Sequence, residues 1–304
     1  MKTQNTHNIY LHFLLVTFIL CGCEHKELST HEELYTSSIP LTLDWQVESP
    51  TTSTVKVHIW GAHTSATQGI ISTDTLFMLD AHSTAQLSLL EAKYTIVAWH
   101  DARNVSFDGT YFHLKADEKG FLPEPEAFCA GYETIQATAQ EEKAFALKMH
   151  PYTRNLAFSF QLDAQAKGRI EAITATLSGI ASARKLGERT LYGTSGGSIA
   201  LALEREETPE TRTEGTVKYS CRKRLLGIHP EERQLFVITL HYTNGEQEVI
   251  EEDLTSALFD FNANGNEEKD RILSATINFA GQSNMSATIE DWELGADTDL
   301  DANN

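Results

Sequence analysis

Alternation of apolar and polar residues at period two recurs along most of this chain and limits the folds open to it. Successive side chains of a β-strand point to opposite faces, so an alternating segment buries one face and exposes the other. Such segments lie at residues 41–47, 55–59, 94–98, 145–149, 156–162, 173–177, 236–242, 273–279 and 285–289. The pattern predicts an all-β protein built from antiparallel β-sandwiches.

Turn and helix signals are consistent with this prediction. Asn244-Gly245 lies between alternating segments and predicts a hairpin with a type I′ turn, which needs positive φ at both central residues. We expect little helix, with residues 251–259 as the best candidate for a short one. Residues 122–128 are a weaker candidate because they contain two prolines.

The domain organisation is predicted from length and from one proline. A chain of 304 residues has the length of one large domain or two ordinary ones. Pro151 follows an alternating segment and precedes another, so we place a boundary there and predict two β-sandwiches, at residues 39–150 and 151–294. Residues 23–38 are expected to be a polar tether and residues 295–304 an acidic tail.

The N-terminus carries an export signal. Residues 9–20 form an apolar run that is shorter than the ~20 residues a membrane-spanning helix needs. Residues 20–23 read Leu-Cys-Gly-Cys, which resembles the lipobox of bacterial lipoproteins. We expect residues 1–22 to be the signal peptide, with cleavage between Gly22 and Cys23 and acylation of Cys23, which attaches the protein to outer-membrane lipid. Residues 24–27 resemble a surface-export signal of the Bacteroidota and favour a location on the cell surface.

The charge balance restricts the partners. The formal net charge is −19, and the acidic residues are spread along the whole chain. Such a surface repels phosphate backbones, so we expect no nucleic-acid binding. After residue 20 no apolar run is long enough to span a bilayer.

Two cysteines remain if Cys21 is removed with the signal peptide and Cys23 is acylated. Cys129 and Cys221 are far apart in sequence and do not have the spacing of metal ligands. Outside the cytoplasm they could form a disulfide, or they could be two buried thiols. The sequence leaves both alternatives open.

Motifs that suggest catalysis or metal binding are incomplete. Residues 193–197 match Gly-x-Ser-x-Gly around Ser195, but no buried strand and helix flank them, so a glycine-rich hairpin loop is the better interpretation than a secreted serine hydrolase. Residues 260–265 open like a calcium loop, yet Arg271 stands where the bidentate glutamate belongs. The twelve histidines form no metal-binding motif. We therefore expect no enzyme activity, no metal and no cofactor.

Tryptophans offer an alternative function. A glycan-binding surface lipoprotein would present exposed aromatic rings as a stacking platform, and Trp60, Trp99 and Trp292 are the candidates. Tryptophans in β-sandwiches also fill cores, so a host or glycan ligand remains an alternative to a structural role.

Four short motifs carry a family resemblance. They are residues 23–28, residues 43–45, residues 152–157 followed by Ser178-Gly179, and residues 289–292. On these motifs the chain resembles the FimB-type fimbrial anchors and fimbrillin-associated lipoproteins of type V pili in the Bacteroidota. The resemblance implies two transthyretin-like β-sandwiches, pilin subunits as partners, and a role in pilus attachment, assembly or adhesion.

The position of the first arginine separates an anchor from a polymerising subunit. In this pilus type the polymerising subunits resemble precursors that an arginine-specific protease clips after an early strand, which releases the lipid. The first arginine here is Arg103, well inside the first predicted domain. We therefore expect the protein to keep its lipid and to bind partners by adding a strand at a sheet edge, which the sequence does not identify.

Overall fold

The computed structural model describes residues 34–47, 54–162, 168–187, 196–206, 217–262, 271–279 and 287–294. These residues form β-strands and turns and contain no helix, which confirms the all-β prediction. The strands are β1 (Thr36–Trp45), β2 (Thr54–Ser65), β3 (Gly69–Asp80), β4 (Ala85–Leu90), β5 (Ala92–Trp99), β6 (Ser106–Phe107), β7 (Tyr111–His113), β8 (Cys129–Ala137), β9 (Phe145–Pro151), β10 (Arg154–Leu162), β11 (Ile170–Ala181), β12 (Ala183–Lys185), β13 (Gly196–Glu206), β14 (Val217–Leu225), β15 (Leu235–Tyr242), β16 (Gln247–Asp253), β17 (Arg271–Phe279) and β18 (Ala287–Leu294).

The first sheet has seven strands and folds into a sandwich of two layers. Its strand order is β3-β2-β5-β8-β9-β1-β4. The layer β3-β2-β5-β8 is joined to the layer β9-β1-β4 where Cys129 and Ala130 pair with Pro151 and His150. Alternate side chains of both layers point inward and share one core, because the apolar half of each alternating strand faces the opposite layer. This core contains Ile39, Leu41, Val55, Val57, Ile59, Leu79, Leu87, Leu89, Tyr94, Ile96, Leu147 and Met149.

The second sheet has eight strands in the order β16-β15-β11-β13-β14-β10-β17-β18. β13 bends across this sheet, since residues 196–203 pair with β11 and residues 204–206 pair with β14. Three stacked phenylalanines, Phe158, Phe160 and Phe236, lie in its core. Most pairs in both sheets are antiparallel, but the first strand of each half is parallel to one neighbour, β1 to β9 and β10 to β17.

The two halves are joined by a small shared sheet. β6 and β7 from the first half pair with β12 from the second half. Side chains of both halves form a separate apolar cluster beneath this sheet, with Phe112, Phe128 and Tyr152 in edge-to-face contact. Leu114 and Leu122 of the first half extend into the core of the second.

Two expectations, for the tether and for the short helix, change. β1 begins at Thr36, inside the segment 23–38 expected to be a tether, and Ser37 and Ile39 are buried. The helix predicted at residues 251–259 is wrong, because residues 251–253 belong to β16 and the following residues form turns. The misleading signal is the spacing of three buried residues, Leu254, Leu258 and Phe261, which matches a helix face.

The hairpin at Asn244-Gly245 is confirmed, but its type I′ turn is wrong. β15 and β16 pair in antiparallel register, and of the two turn residues only Gly245 has a positive φ. The loop is a three-residue turn in which Gly245 N–H donates to the Tyr242 carbonyl at 2.9 Å. Asn244 instead accepts the Glu246 N–H through its side chain at 3.0 Å.

Among the described residues, no helix has the length and apolar character required to cross a membrane.

Candidate partner-binding site

β3 is the longest exposed outer strand for which side chains are described. It has 12 residues and pairs with β2 along its whole length, from Ser65↔Gly69 to Thr54↔Asp80. Within the part of the chain that the structure describes, no strand pairs with its other side. An edge of this kind presents a row of backbone N–H and C=O groups that can pair with an added strand.

The outer face of β3 carries three exposed apolar side chains together with Ser72, Asp74 and Asp80. Ile70, Leu76 and Met78 have 73%, 60% and 57% of their surface exposed. Across the ladder, His58 and Trp60 of β2 lie on the same face, with ring centroids 4.8 Å apart. A cluster of exposed apolar side chains on a sheet edge is typical of a protein-binding surface.

The inner face of β3 borders a groove. Thr73, Thr75 and Phe77 line it on one side and residues 85–89 of β4 on the other, with a volume of about 370 Å³. Phe77 is half-buried and packs against the first core, whereas Thr75 is exposed in the groove. The groove therefore separates two outer strands, β3 and β4, that belong to opposite layers of the sandwich.

A tight turn holds β3 and β4 in their separate layers. Ser83 N–H donates to the Asp80 carbonyl at 3.0 Å, and the Trp45 indole N–H donates to the Ala81 carbonyl at 3.0 Å. Ala81 itself is buried. The turn is thus fixed to β1, and β3 and β4 remain unpaired with each other.

Charge on β3 is confined to two aspartates. Asp74 lies near the middle of the strand, where its carboxylate is 2.6 Å from His58 Nε2, and Asp80 ends the strand. The five residues between them, residues 75–79, carry no charge. This stretch is therefore the part of the edge that accepts an apolar strand with the least electrostatic cost.

The motif at residues 152–157 lies at the junction of the two halves. The Tyr152 hydroxyl accepts the Gly187 N–H at 3.0 Å, and the Tyr152 carbonyl accepts a hydrogen bond from Arg184 Nη1 at 2.8 Å. Thr153 Oγ1 accepts the Phe128 N–H at 3.1 Å. Arg154 is buried and donates from Nη1 to the Phe261 carbonyl at 2.7 Å. Of these four bonds, the one from Phe128 to Thr153 joins the two halves, and the other three lie within the second half.

Several residues named from the sequence lie outside the described residues. These are Gly22 and Cys23, Ser195, and residues 263–265 of the calcium-like segment. Within that segment Asp260 pairs with Arg271, and this ion pair lowers the pKa of Asp260. No group of three or more metal-binding side chains occurs in the described part of the chain.

The structure describes the side chains of both cysteines and of two of the three candidate tryptophans. Cys129 and Cys221 are free thiols, and burial raises their pKa to about 12 and about 11, so both are protonated. Trp60 and Trp99 are half-buried against the cluster at the junction of the two halves, and Trp99 packs on Phe107 at 4.9 Å. They do not form an exposed platform. The side chain of Trp292 is not among those described.

The His100 side chain has a structural role, because it is hydrogen-bonded to the backbone of Cys129 and Asp101. The buried His100 ring accepts the Cys129 N–H at Nε2 and donates from Nδ1 to the Asp101 carbonyl, each at 3.0 Å. Both ring nitrogens are used, and burial lowers the pKa of His100, so the ring is neutral.

Comparisons with known proteins agree with this architecture. Residues 34–295 match the family described as fimbrillin-A associated anchor proteins Mfa1 and Mfa2. The fimbrial anchor protein Mfa2 from Porphyromonas gingivalis has a similar fold at 11% identity, with a TM-score of 0.55 over 85% of this chain and 97% of that chain. A candidate adhesin from Bacteroides ovatus ATCC 8483 is similar at 10% identity, with a TM-score of 0.51 over 73% and 84%. No curated protein matches the chain.

Proposed function

Because the chain belongs to the family of fimbrillin-A associated anchor proteins, we propose that it is a lipid-anchored fimbrial anchor or accessory subunit of the outer membrane. It faces the cell surface and binds fimbrial subunits by accepting a strand at β3. Family membership indicates a fimbrial or adhesin role. The observation that carries the strand-addition proposal is the β3 edge, which is long, exposes Leu76 and Met78 on its outer face and is bordered by a groove.

Strand addition at β3 uses two kinds of contact. Backbone hydrogen bonds along the edge provide affinity that depends little on the partner's sequence. Side chains of the added strand alternate between the outer face, beside Leu76 and Met78, and the groove, beside Thr75 and Phe77. The preferred partner segment is therefore apolar on both of its faces where it pairs with residues 75–79 of β3.

The lipid anchor is supported by the sequence of residues 20–23 and by the place of β1 in the sheet. β1 is an inner strand, antiparallel to β4 and parallel to β9. A lipid on Cys23 is thus connected through a short segment to a strand that is hydrogen-bonded on both sides. This arrangement suits a protein that keeps its anchor.

The lipid proposal is tested by Cys23→Ala in the native host. We expect the wild-type protein in the membrane fraction, with an intact mass that corresponds to an acylated chain starting at Cys23. The variant should move to a soluble fraction. A variant that fractionates with membranes as the wild type does would contradict the lipid anchor and leave the strand-addition proposal unaffected.

The partner proposal is tested by purifying the full-length protein from detergent-solubilised membranes and identifying what accompanies it. We expect fimbrial subunits in the wild-type preparation and fimbriae that detach from Cys23→Ala cells. Fimbriae that remain attached and unchanged in length when the protein is deleted would contradict an anchor or accessory role. Protease accessibility on whole cells tests the surface orientation.

A further inference from the structure

A second slot opens on the opposite side of the first sandwich, between β8 and β9. β8 pairs with β9 only through Cys129 and Ala130. From there to Ala137, β8 is paired with β5 on one side, and no described strand pairs with its other side. β9 likewise pairs with β1 through residues 145–149, so two unpaired backbone edges face each other across the slot.

Both ends of the slot are closed. At Gly131 the two strands are in close contact, since a Cβ there would lie 2.8 Å from Leu147 Cγ and 2.8 Å from the Lys148 carbonyl oxygen. At the far end the loop after β8 is bound to β1, because Ser38 N–H donates to the Glu141 carbonyl at 3.1 Å. Residues 132–137 between these ends measure about 20 Å at ~3.3 Å per residue. The slot therefore has room for an extended segment of about six residues.

The lining of the slot is apolar at its base and charged at its rim. Its volume is about 270 Å³, and Ile39, Ile135, Ala137 and Phe145 form the base. The charged residues that line it are Glu133, Glu141 and Lys143. Small apolar side chains of a bound segment can pack against this base.

Glu133 is the unusual residue of the slot. It has the same strand parity as Ile135 and Ala137, which pack on the core, so its carboxylate lies on the inner face of β8. Its side chain is exposed, and among the described residues its carboxylate makes no hydrogen bond or ion pair. A carboxylate in this position repels an acidic segment, loses hydration against a wholly apolar one, and attracts one that brings a cation.

We propose that this slot is a second peptide-binding site, distinct from the β3 edge, which accepts an extended segment with small apolar side chains and one lysine or arginine opposite Glu133. Charge complementarity identifies the occupant as a separate chain. The terminal segments of this chain are themselves acidic, with four glutamates and one lysine in residues 24–34 and three aspartates and no lysine or arginine in residues 295–304. With β3 and β8 as the two outer strands of one layer, the first sandwich can bind two partner segments at once.

The test uses purified full-length protein in detergent and two end-blocked, fluorescent heptapeptides. One is Val-Ser-Lys-Ser-Val-Ser-Val, and the other has glutamate in place of lysine. We expect the lysine peptide to bind at least tenfold more tightly by fluorescence anisotropy. Glu133→Lys should reverse the preference for the lysine peptide, and Glu133→Gln should reduce it. Thr75→Lys on β3 should leave the affinities of both peptides unchanged.

Hydrogen exchange locates the bound peptide. The amides of residues 131–137 should exchange more slowly with the lysine peptide present. The proposal is overturned if neither peptide binds, if both bind equally, or if protection appears along β3 and Thr75→Lys abolishes it. Because Glu133 is exposed, an unchanged melting temperature should show that its variants remain folded.

Discussion

The outer strands β3 and β16 differ in length and charge. β3 has 12 residues, and Asp74 is its one charged residue before Asp80 at the end. β16 has 7 residues, and four of them are acidic, Glu248, Glu251, Glu252 and Asp253. Hydrogen bonds from Thr255 and Arg233 lower the pKa of Asp253 to about 2, so it stays ionised. Acidic residues along an edge discourage pairing with another chain.

This difference bears on which edge the proposed partner strand would join. Both edges are outer strands, and both expose an apolar residue, since Val249 on β16 is 57% exposed. The distinguishing property is the charge around that residue. A lone valine among carboxylates does not make a docking edge, whereas Leu76 and Met78 lie on a stretch without charge. The comparison therefore supports the proposal that a partner strand is added at β3 instead of β16.

Matched lysine substitutions test this assignment with the largest expected effect. Thr75→Lys places a cation in the groove beside β3, where an added strand would have to desolvate it. We expect recovery of fimbrial subunits with the purified protein to fall at least tenfold. Val249→Lys on β16 is the control and should leave recovery unchanged. Equal losses from both variants would show that the two edges do not differ in function.

Shortening the outer-face side chains of β3 should have a smaller effect. Leu76→Ser combined with Met78→Ser removes apolar contacts with an added strand, and each cross-strand pair contributes roughly 0.2–1 kcal/mol. We expect binding of fimbrial subunits to weaken about threefold to tenfold. Since both side chains are exposed, the free energy of unfolding should change by less than about 0.5 kcal/mol. A large loss of stability with no loss of binding would assign these residues to folding instead.

Removing charge from β16 examines the comparison from the other side. Gln247→Val with Glu251→Val would give β16 three exposed valines on one face, together with Val249. We expect weak, concentration-dependent self-association in sedimentation velocity. Gln247→Asn with Glu251→Gln removes the same charge without adding apolar surface and separates the two causes. Monomeric behaviour of both variants would show that the remaining carboxylates protect the edge.

Alternation predicts nine of the strands and misses others, among them β4 and also β3, which forms the candidate site. β3 was not predicted because Ile70-Ile71 and residues 76–79 break the alternation. In residues 76–79 the inner face packs toward the core, and the outer face exposes further apolar side chains at the edge. The property that suits β3 to partner binding is therefore the property that conceals it from a period-two pattern.

Strand partners also could not be predicted, because alternation reports which residues face a core and says nothing of direction or neighbour. The parallel pairs β1–β9 and β10–β17 and the opening between β8 and β9 depend on contacts between distant residues. The cysteines illustrate the same limit. Cys129 lies in the first sheet and Cys221 in the second, and both are free.

The smallest expected effect is a pH dependence of stability that should differ between the two halves. The neutral ring of His100 lies near the junction, packed on Phe128 with ring centroids 5.3 Å apart and facing the carboxylates of Asp101 and Glu126. Burial lowers its pKa, while the unfolded chain keeps a value near ~6.5. Above that pH the ring is neutral in both states, and the contribution of His100 to stability does not change with pH. As the pH falls below it, the unfolded state binds the proton first, so the free energy of unfolding decreases by at most ~1.4 kcal/mol per pH unit.

This decrease should be found in the first sandwich. Protonation removes the acceptor for the Cys129 N–H, which lies where β8 pairs with β9. Hydrogen exchange between pH 7.5 and 5.5, corrected for intrinsic rates, should show amides of β5 and β8 losing protection while those of β11 and β15 change less. His100→Gln keeps an acceptor for the Cys129 N–H and cannot titrate, so its stability should vary less over this range. An unchanged slope in the variant would assign the pH dependence to another group.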